Sequence, residues 1–199
     1  MEKIKILKGE KNFKDDFANL ILYTGEDLFF SIFGKNVKEI LKKLYIVKRN
    51  QFSYEFTNFI FFEEKISGMV LSYSYDEKSK IDLNTGYLLI KIMNLNFLKI
   101  FPNLLKSFNV LGKIDKEDYY ISNIAIYPEY RGIGLGTKLL NFIEDLAKNR
   151  KLKRIVLEVE KKNLNAIKVY ENFGFKKEKE IFLKIDRKKF SFYKMIKTI

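Results

Sequence analysis

The chain has no cysteine and no histidine in its 199 residues. Those absences exclude disulfides, thiol nucleophiles, histidine-based triads and the common zinc sites. Any catalysis must use carboxylates, Tyr, Lys, Ser/Thr or backbone groups. The start, Met1-Glu2-Lys3-Ile4, lacks the apolar core of a signal peptide. No apolar run reads as long enough to span a bilayer. The expectations are a cytoplasmic location, no membrane partner and no metal. Internal repeats, low-complexity segments and linkers are absent too.

Positive charge is in excess: 38 Lys+Arg against 25 Asp+Glu give a formal +13. One reading is a polyanionic partner such as RNA or a membrane surface. The other is composition, because Lys, Ile, Asn and Phe recur throughout and the densest basic cluster is only Lys148 to Arg154. Dispersal favours composition, so a nucleic-acid partner is disfavoured without being excluded. With 47% apolar residues the chain is expected to be globular. Its length suits a single domain, 1–199, with a substantial core.

Periodicity gives a coarse map. Ile4–Leu7 alternates as a short strand. Apolar residues at 13, 17, 20 and 21 make Phe13–Tyr23 helical, and Phe29–Phe33 reads as a second helix or a turn. Gly34 breaks the pattern. Val37–Val47 carries a helical stripe at 37, 40, 41, 44 and 47. Phe59–Glu63 and Ile66–Tyr75 are strands around a turn at Glu64-Lys65, with Gly68 at a bulge or close approach. Leu83–Val110 has helical spacing interrupted by Pro102, which predicts two helices. Strands are expected at Tyr120–Ile126, Arg154–Val159, from Phe175 onward and at Phe190–Ile196. Helices are expected after the glycine loop, with Leu135, Leu139, Phe142, Ile143 and Leu146 on one face, and at Asn163–Asn172. Gly174 is the C-cap of the second.

The sharpest motif is Arg131-Gly132-Ile133-Gly134-Leu135-Gly136-Thr137, between a strand and a helix. Glycines let backbone N–H groups approach a ligand. A helix start adds unpaired donors and partial positive charge, which suits a phosphate. The spacing is not the Gly-x-Gly-x-x-Gly of dinucleotide folds, because position 137 is Thr. Nor is it a triphosphate loop, because Gly136-Thr137-Lys138 has the wrong order.

The run Ile124 to Gly136 closely resembles the acetyl-CoA loop of the GNAT superfamily of N-acetyltransferases, Arg/Gln-x-x-Gly-x-Gly/Ala, matched by Arg131, Gly134 and Gly136. Downstream, Leu157-Glu158-Val159, Asn163, Ala166, Tyr170 and Gly174-Phe175 resemble the family's second signature. The likeness is firm over roughly 119–177; residues 1–118 would be the variable, acceptor-side half and 119–199 the cofactor-binding half. It implies an α/β (α+β) fold: a mixed, mostly antiparallel sheet with splayed central strands, flanked by helices. Acetyl-CoA is the implied co-substrate. Its pantetheine would pair with Ile124, Ala125 and Ile126, and a bulge there would aim the Ile126 N–H at the thioester carbonyl. Arg131, Gly132, Ile133, Gly134, Leu135, Gly136 and Thr137 would bind the diphosphate through N–H groups, and Asn163 would be a further contact.

The implied reaction is acetyl transfer to an amine. Tyr170 stands where the family places its general acid, and Glu158 is the base candidate, with a water relay as the alternative. Glu129 and Asp118 are weaker alternatives. Tyr119, Tyr120 and Ser122 line the acceptor side or simply pack. The acceptor is a small molecule, a peptide N-terminus or a lysine. Alternatives are a toxin-like acetylation of aminoacyl-tRNA and a non-catalytic acyl-CoA-binding module. A homodimer could form through Phe190–Ile196.

Overall fold

The computed structural model describes residues 3–199. The chain runs β1 (Ile4–Lys8), α1 (Lys14–Phe33), α2 (Val37–Tyr45), β2 (Thr57–Phe62), β3 (Lys65–Ser74), α3 (Tyr75–Met93) and α4 (Phe97–Val110). It continues through β4 (Asp118–Ile126), α5 (Leu135–Asn149), β5 (Arg154–Glu160), α6 (Leu164–Asn172), β6 (Lys176–Ile185) and β7 (Lys188–Thr198). The strands form one seven-stranded sheet in the order β1-β2-β3-β4-β5-β7-β6. Only β4 and β5 are parallel; the other neighbours are antiparallel. This is the mixed sheet the resemblance implied.

Strand alternation divides the core in two. Ile155, Leu157 and Val159 pack with Leu135, Leu139, Leu140 and Ile143 of α5 on one face. Val156, Tyr120, Tyr73 and Leu71 pack with α1 to α4 on the other. The α5 stripe is turned slightly from the expected one. Leu140 and Ala147 are buried, while Phe142 and Leu146 are half-buried.

The segment 13–33 is two helical stretches, as one of the two expectations had it: α1 leaves helical geometry at Gly25, between Tyr23 and Phe29, and resumes to Phe33. Two features differ from expectation. The 83–110 segment does break into two helices, but at Asn94 (φ 50°) rather than at Pro102, which sits inside α4. Pro102 and Leu98, whose carbonyl loses its helical donor, are both exposed, so the lost bond costs less than it would in the core. Finally, α3 starts eight residues before the apolar pattern does. Ser74 accepts from the Glu77 N–H and the Glu77 carboxylate accepts from the Ser74 N–H. This capping box, Ser-x-x-Glu, is present in the sequence and marks the true start.

β7 is not a sheet edge. It pairs with β5 on one side and β6 on the other, so Phe190–Ile196 is occupied on both edges within the chain. β6 and β1 are the outer strands, and the exposed Lys176 to Glu180 run gives β6 a charged border.

Candidate active site

The glycine loop meets the requirements of an anion cradle. Gly132 and Gly134 take φ of 82° and 86°, which L side chains rarely adopt. A Cβ built at Gly132, Gly134 or Gly136 meets nothing within 4 Å, so the loop opens onto free space. Gly134 caps α5 without a side chain, and the first helical bond runs from the Lys138 N–H to the Gly134 carbonyl (3.1 Å). The N–H groups of Leu135, Gly136 and Thr137 therefore have no intrahelical acceptor. They point out of the positive end of a 15-residue helix. Arg131 acts as a strut: its Nε donates to the Ile126 carbonyl (3.0 Å), and its guanidinium lies 5.9 Å from the Tyr23 ring centroid.

Behind the loop the sheet splits. β4 and β5 pair only from Asp118–Arg154 to Ile121–Leu157, and beyond that point they separate. A bulge in β4 accompanies the split. It lies at Ser122, since Leu71 pairs with Asn123 but Ser72 pairs with Ile121. The expected position, around Ile124–Ile126, is thus two residues too late; only the cross-strand register reveals it. The Tyr127 N–H donates to the Ser67 carbonyl (2.9 Å), so Tyr127 faces β3. Antiparallel alternation then turns Ile124 and Ile126 the other way, into the split, and Ala125 toward β3. Gly68 lets β3 lie against this stretch: a Cβ there would stand 2.5 Å from the Ala125 carbonyl. Gly68→Ala is expected to cost about 1–3 kcal/mol from overpacking, read as a lowered midpoint in urea unfolding.

One continuous cavity of about 810 Å³ connects the glycine loop, the split and the face beneath α1 and α4. Tyr170 projects into it from α6. The ring packs on Phe175 at 5.8 Å between centroids, and burial alone pushes its hydroxyl well above the usual tyrosine range. Asn163 caps α6, its Oδ1 accepting from the Ala166 N–H (3.2 Å), and it also lines the cavity.

Glu158 lines the same space from β5. Its Oε1 accepts from the Gly112 N–H (3.0 Å), and its Oε2 accepts a short hydrogen bond from the Tyr120 hydroxyl. Burial raises its pKa above the ordinary glutamate value, outweighing those two hydrogen bonds and the charges of Lys194 and Lys78. Tyr120 is pushed up by burial and by Glu158, so it stays a donor.

The other acid/base candidates are elsewhere. Asp118 is fully buried, paired with the Arg154 Nε (2.7 Å), and accepts from the Asp115 N–H (2.7 Å). Glu129 is exposed in the turn before the loop, outside the cavity. Tyr119 lies on the α5 face, its hydroxyl 3.3 Å from Ser72 Oγ, whereas Tyr120 and Ser122 line the cavity. Sequence reasoning missed Gly112, which carries no local signal. It placed a break between Tyr23 and Phe29 but missed the contact made there, where Thr24 Oγ1 accepts from Asn123 Nδ2 (2.8 Å) beside the bulge. Gly25 inside an apolar helical pattern was the available clue. The wall under α1 and α4 is largely aromatic and aliphatic, through Phe29, Phe33, Phe52, Leu104 and Phe108, while Gln51, Lys78, Ser107 and Glu160 add polar and charged groups to the lining.

The site thus joins a parallel strand pair that opens to a glycine-rich helix start within one mixed sheet. The chain belongs to the acetyltransferase (GNAT) family, whose family model matches residues 27–175. It is 34% identical over 93 residues to the uncharacterized N-acetyltransferase YobR of Bacillus subtilis (strain 168), covering 46% of this chain and 37% of that one. It is 44% identical over 63 residues to N-alpha-acetyltransferase 30 of Schizosaccharomyces pombe, covering 32% of this chain and 42% of that one. Both alignments span less than half of the relative. The fold is similar to that of an N-acetyltransferase from Staphylococcus aureus Mu50, with a TM-score of 0.71, 22% identity, and 96% and 99% of the two chains covered.

Proposed function

We propose that this protein is an acetyl-CoA-dependent N-acetyltransferase acting on a primary amine of a small molecule or of a peptide or protein. The observation that carries the reading is the single cavity joining the glycine loop, through the strand split, to Glu158 and Tyr170. The free N–H groups of Leu135, Gly136 and Thr137 suit the diphosphate, and the exposed backbone edge of Ile124 and Ile126 suits the pantetheine amides. Acetyl-CoA, when bound, supplies an activated acyl group as a thioester. Ile124 shares the orientation of Ile126, lies nearer the branch point and lines the same cavity as Glu158, so its N–H is the better placed to stabilise charge on the acyl carbonyl oxygen. Such a donor is worth roughly 3 kcal/mol in other acyl-transfer enzymes. The Ile126 carbonyl is already satisfied by Arg131.

Glu158 is the base in this reading. An acceptor amine must lose a proton to attack, and a carboxylate whose pKa is raised by burial is a stronger base than an ordinary one. Only its ionised form can accept the proton. Activity therefore rises with pH through a Glu158 pKa that lies above the ordinary glutamate value. Glu158→Gln is expected to lower kcat/KM about a hundredfold and to flatten that limb. A thiol-release assay across a panel of amine classes tests both points. Acetyl-CoA binding by calorimetry with no turnover on any amine would overturn the enzymatic reading in favour of a binding module.

A further inference from the structure

The helical arm α3–α4 carries an apolar face that the rest of the chain leaves uncovered. Leu83, Tyr87 and Ile90 are exposed along one side of α3, at i, i+4 and i+7. Leu95 stands at the junction, 83% exposed, and Leu98 and Phe101 continue along α4, Leu98 at 70%. The opposite side of the arm, through Leu89, Phe97, Ile100 and Leu104, is buried in the core. The span Tyr75–Val110 is long and apolar enough by composition to cross a bilayer, against the expectation that no run is. Only 22% of its most apolar window is buried in the fold. The break at Asn94 and the inward face packed on the sheet rule out a transmembrane path for the folded chain. They leave the outer face free to lie on a surface.

The charges on that face have one sign. No Asp or Glu occurs from Leu83 to Ile114, while Lys91, Lys99, Lys106 and Lys113 do. Lys91, Lys99 and Lys106 are exposed and adjoin Ile90, Leu98 and Leu105 in sequence, and Lys91 Nζ lies 4.7 Å from the Tyr87 ring centroid. Long cationic side chains bordering leucines and aromatics suit an interface where apolar groups enter the acyl boundary and ammonium groups meet anionic headgroups. A second copy of the chain is a poorer occupant. A two-fold interface uses the same patch on both subunits and would set these lysines against one another with no carboxylate between them.

We infer that the outer face of α3–α4 docks this protein on an anionic lipid bilayer surface. Because Leu89, Leu104 and Phe108 of the same arm line the cavity, the docked surface and the acceptor pocket share one wall. The inference does not depend on acetyl transfer.

Co-sedimentation of the full chain with unilamellar vesicles tests it. Retention on phosphatidylcholine–phosphatidylglycerol vesicles is expected to exceed that on phosphatidylcholine alone by at least about tenfold at low ionic strength, and to fall with added salt. The triple variant Leu95→Gln/Leu98→Gln/Phe101→Gln is expected to lose retention about tenfold or more, with acetyl-CoA affinity by calorimetry unchanged. Should that variant fail to fold, Lys91→Glu/Lys99→Glu/Lys106→Glu preserves the apolar packing and must lose the anionic-vesicle preference. Absent binding, equal retention on both vesicle types, or variants that bind like the parent would overturn the inference. So would light scattering that shows a dimer dispersed by the leucine–phenylalanine triple variant, which would assign the face to a second copy.

Discussion

Gly134→Glu is expected to abolish measurable acetyl-CoA binding while the protein remains folded. Two effects act together at this position. The backbone sits at φ 86°, so any L side chain adds strain of about 1–2 kcal/mol. The larger effect is in the cradle, where a Cβ enters free space and a carboxylate follows it, next to the unpaired N–H groups of Leu135, Gly136 and Thr137. The carboxylate competes for the donors and repels a diphosphate. Hydrogen bonds to charged groups are worth about 1.5–3 kcal/mol each, so losing two of them weakens binding roughly 10²–10⁴-fold. Gly134→Asn separates the two effects, because Asn tolerates the left-handed conformation and brings no charge. It is expected to bind more weakly than the parent but better than the Glu variant. Calorimetry showing unaltered affinity in Gly134→Glu would remove the loop from the binding site.

The loop was legible because all its determinants are local. Arg131, Gly134 and Gly136 lie within six residues, and a strand–turn–helix context needs no distant partner. The two-faced alternation of β5 was legible for the same reason, since Ile155, Leu157 and Val159 follow the pleat. The bulge at Ser122 was not, because a bulge is a relation between two strands and β3 supplies the register. The surroundings of Glu158 were equally hidden. Its hydrogen-bond donors, Gly112 and Tyr120, are 46 and 38 residues away in sequence. The aromatic wall was hidden too: Phe29 and Phe33 come from α1, Phe52 from the segment between α2 and β2, and Phe108 from α4, and each reads locally as ordinary core. Pro102 misled because its helix-breaking cost falls where the freed carbonyl is buried, and at Leu98 it is not.

Tyr170→Phe is expected to lower kcat at least about tenfold, within the 10²–10⁴-fold that general acids commonly supply, with little change in acetyl-CoA affinity or in thermal stability. The separation follows from what the hydroxyl does and does not touch. Burial is the sole influence on its pKa and no hydrogen bond contributes, so deleting the oxygen strands no partner. The ring keeps its contact with Phe175, and the backbone carbonyl keeps the Phe173 and Phe175 N–H groups. Only a group that arrives in the cavity can lose by the change, and in the proposed reaction the departing thiolate is the group that needs a proton there. The raised pKa has a definite consequence for the pH profile. Tyr170 remains protonated throughout the neutral range, so its loss lowers the whole kcat profile without moving the ascending limb. Glu158→Gln, in contrast, flattens that limb, because the carboxylate must ionise to act. Steady-state thiol release measured across pH for both variants distinguishes the acid from the base. A Tyr170→Phe variant with undiminished kcat would take Tyr170 out of the mechanism and leave the thiolate to be protonated by solvent.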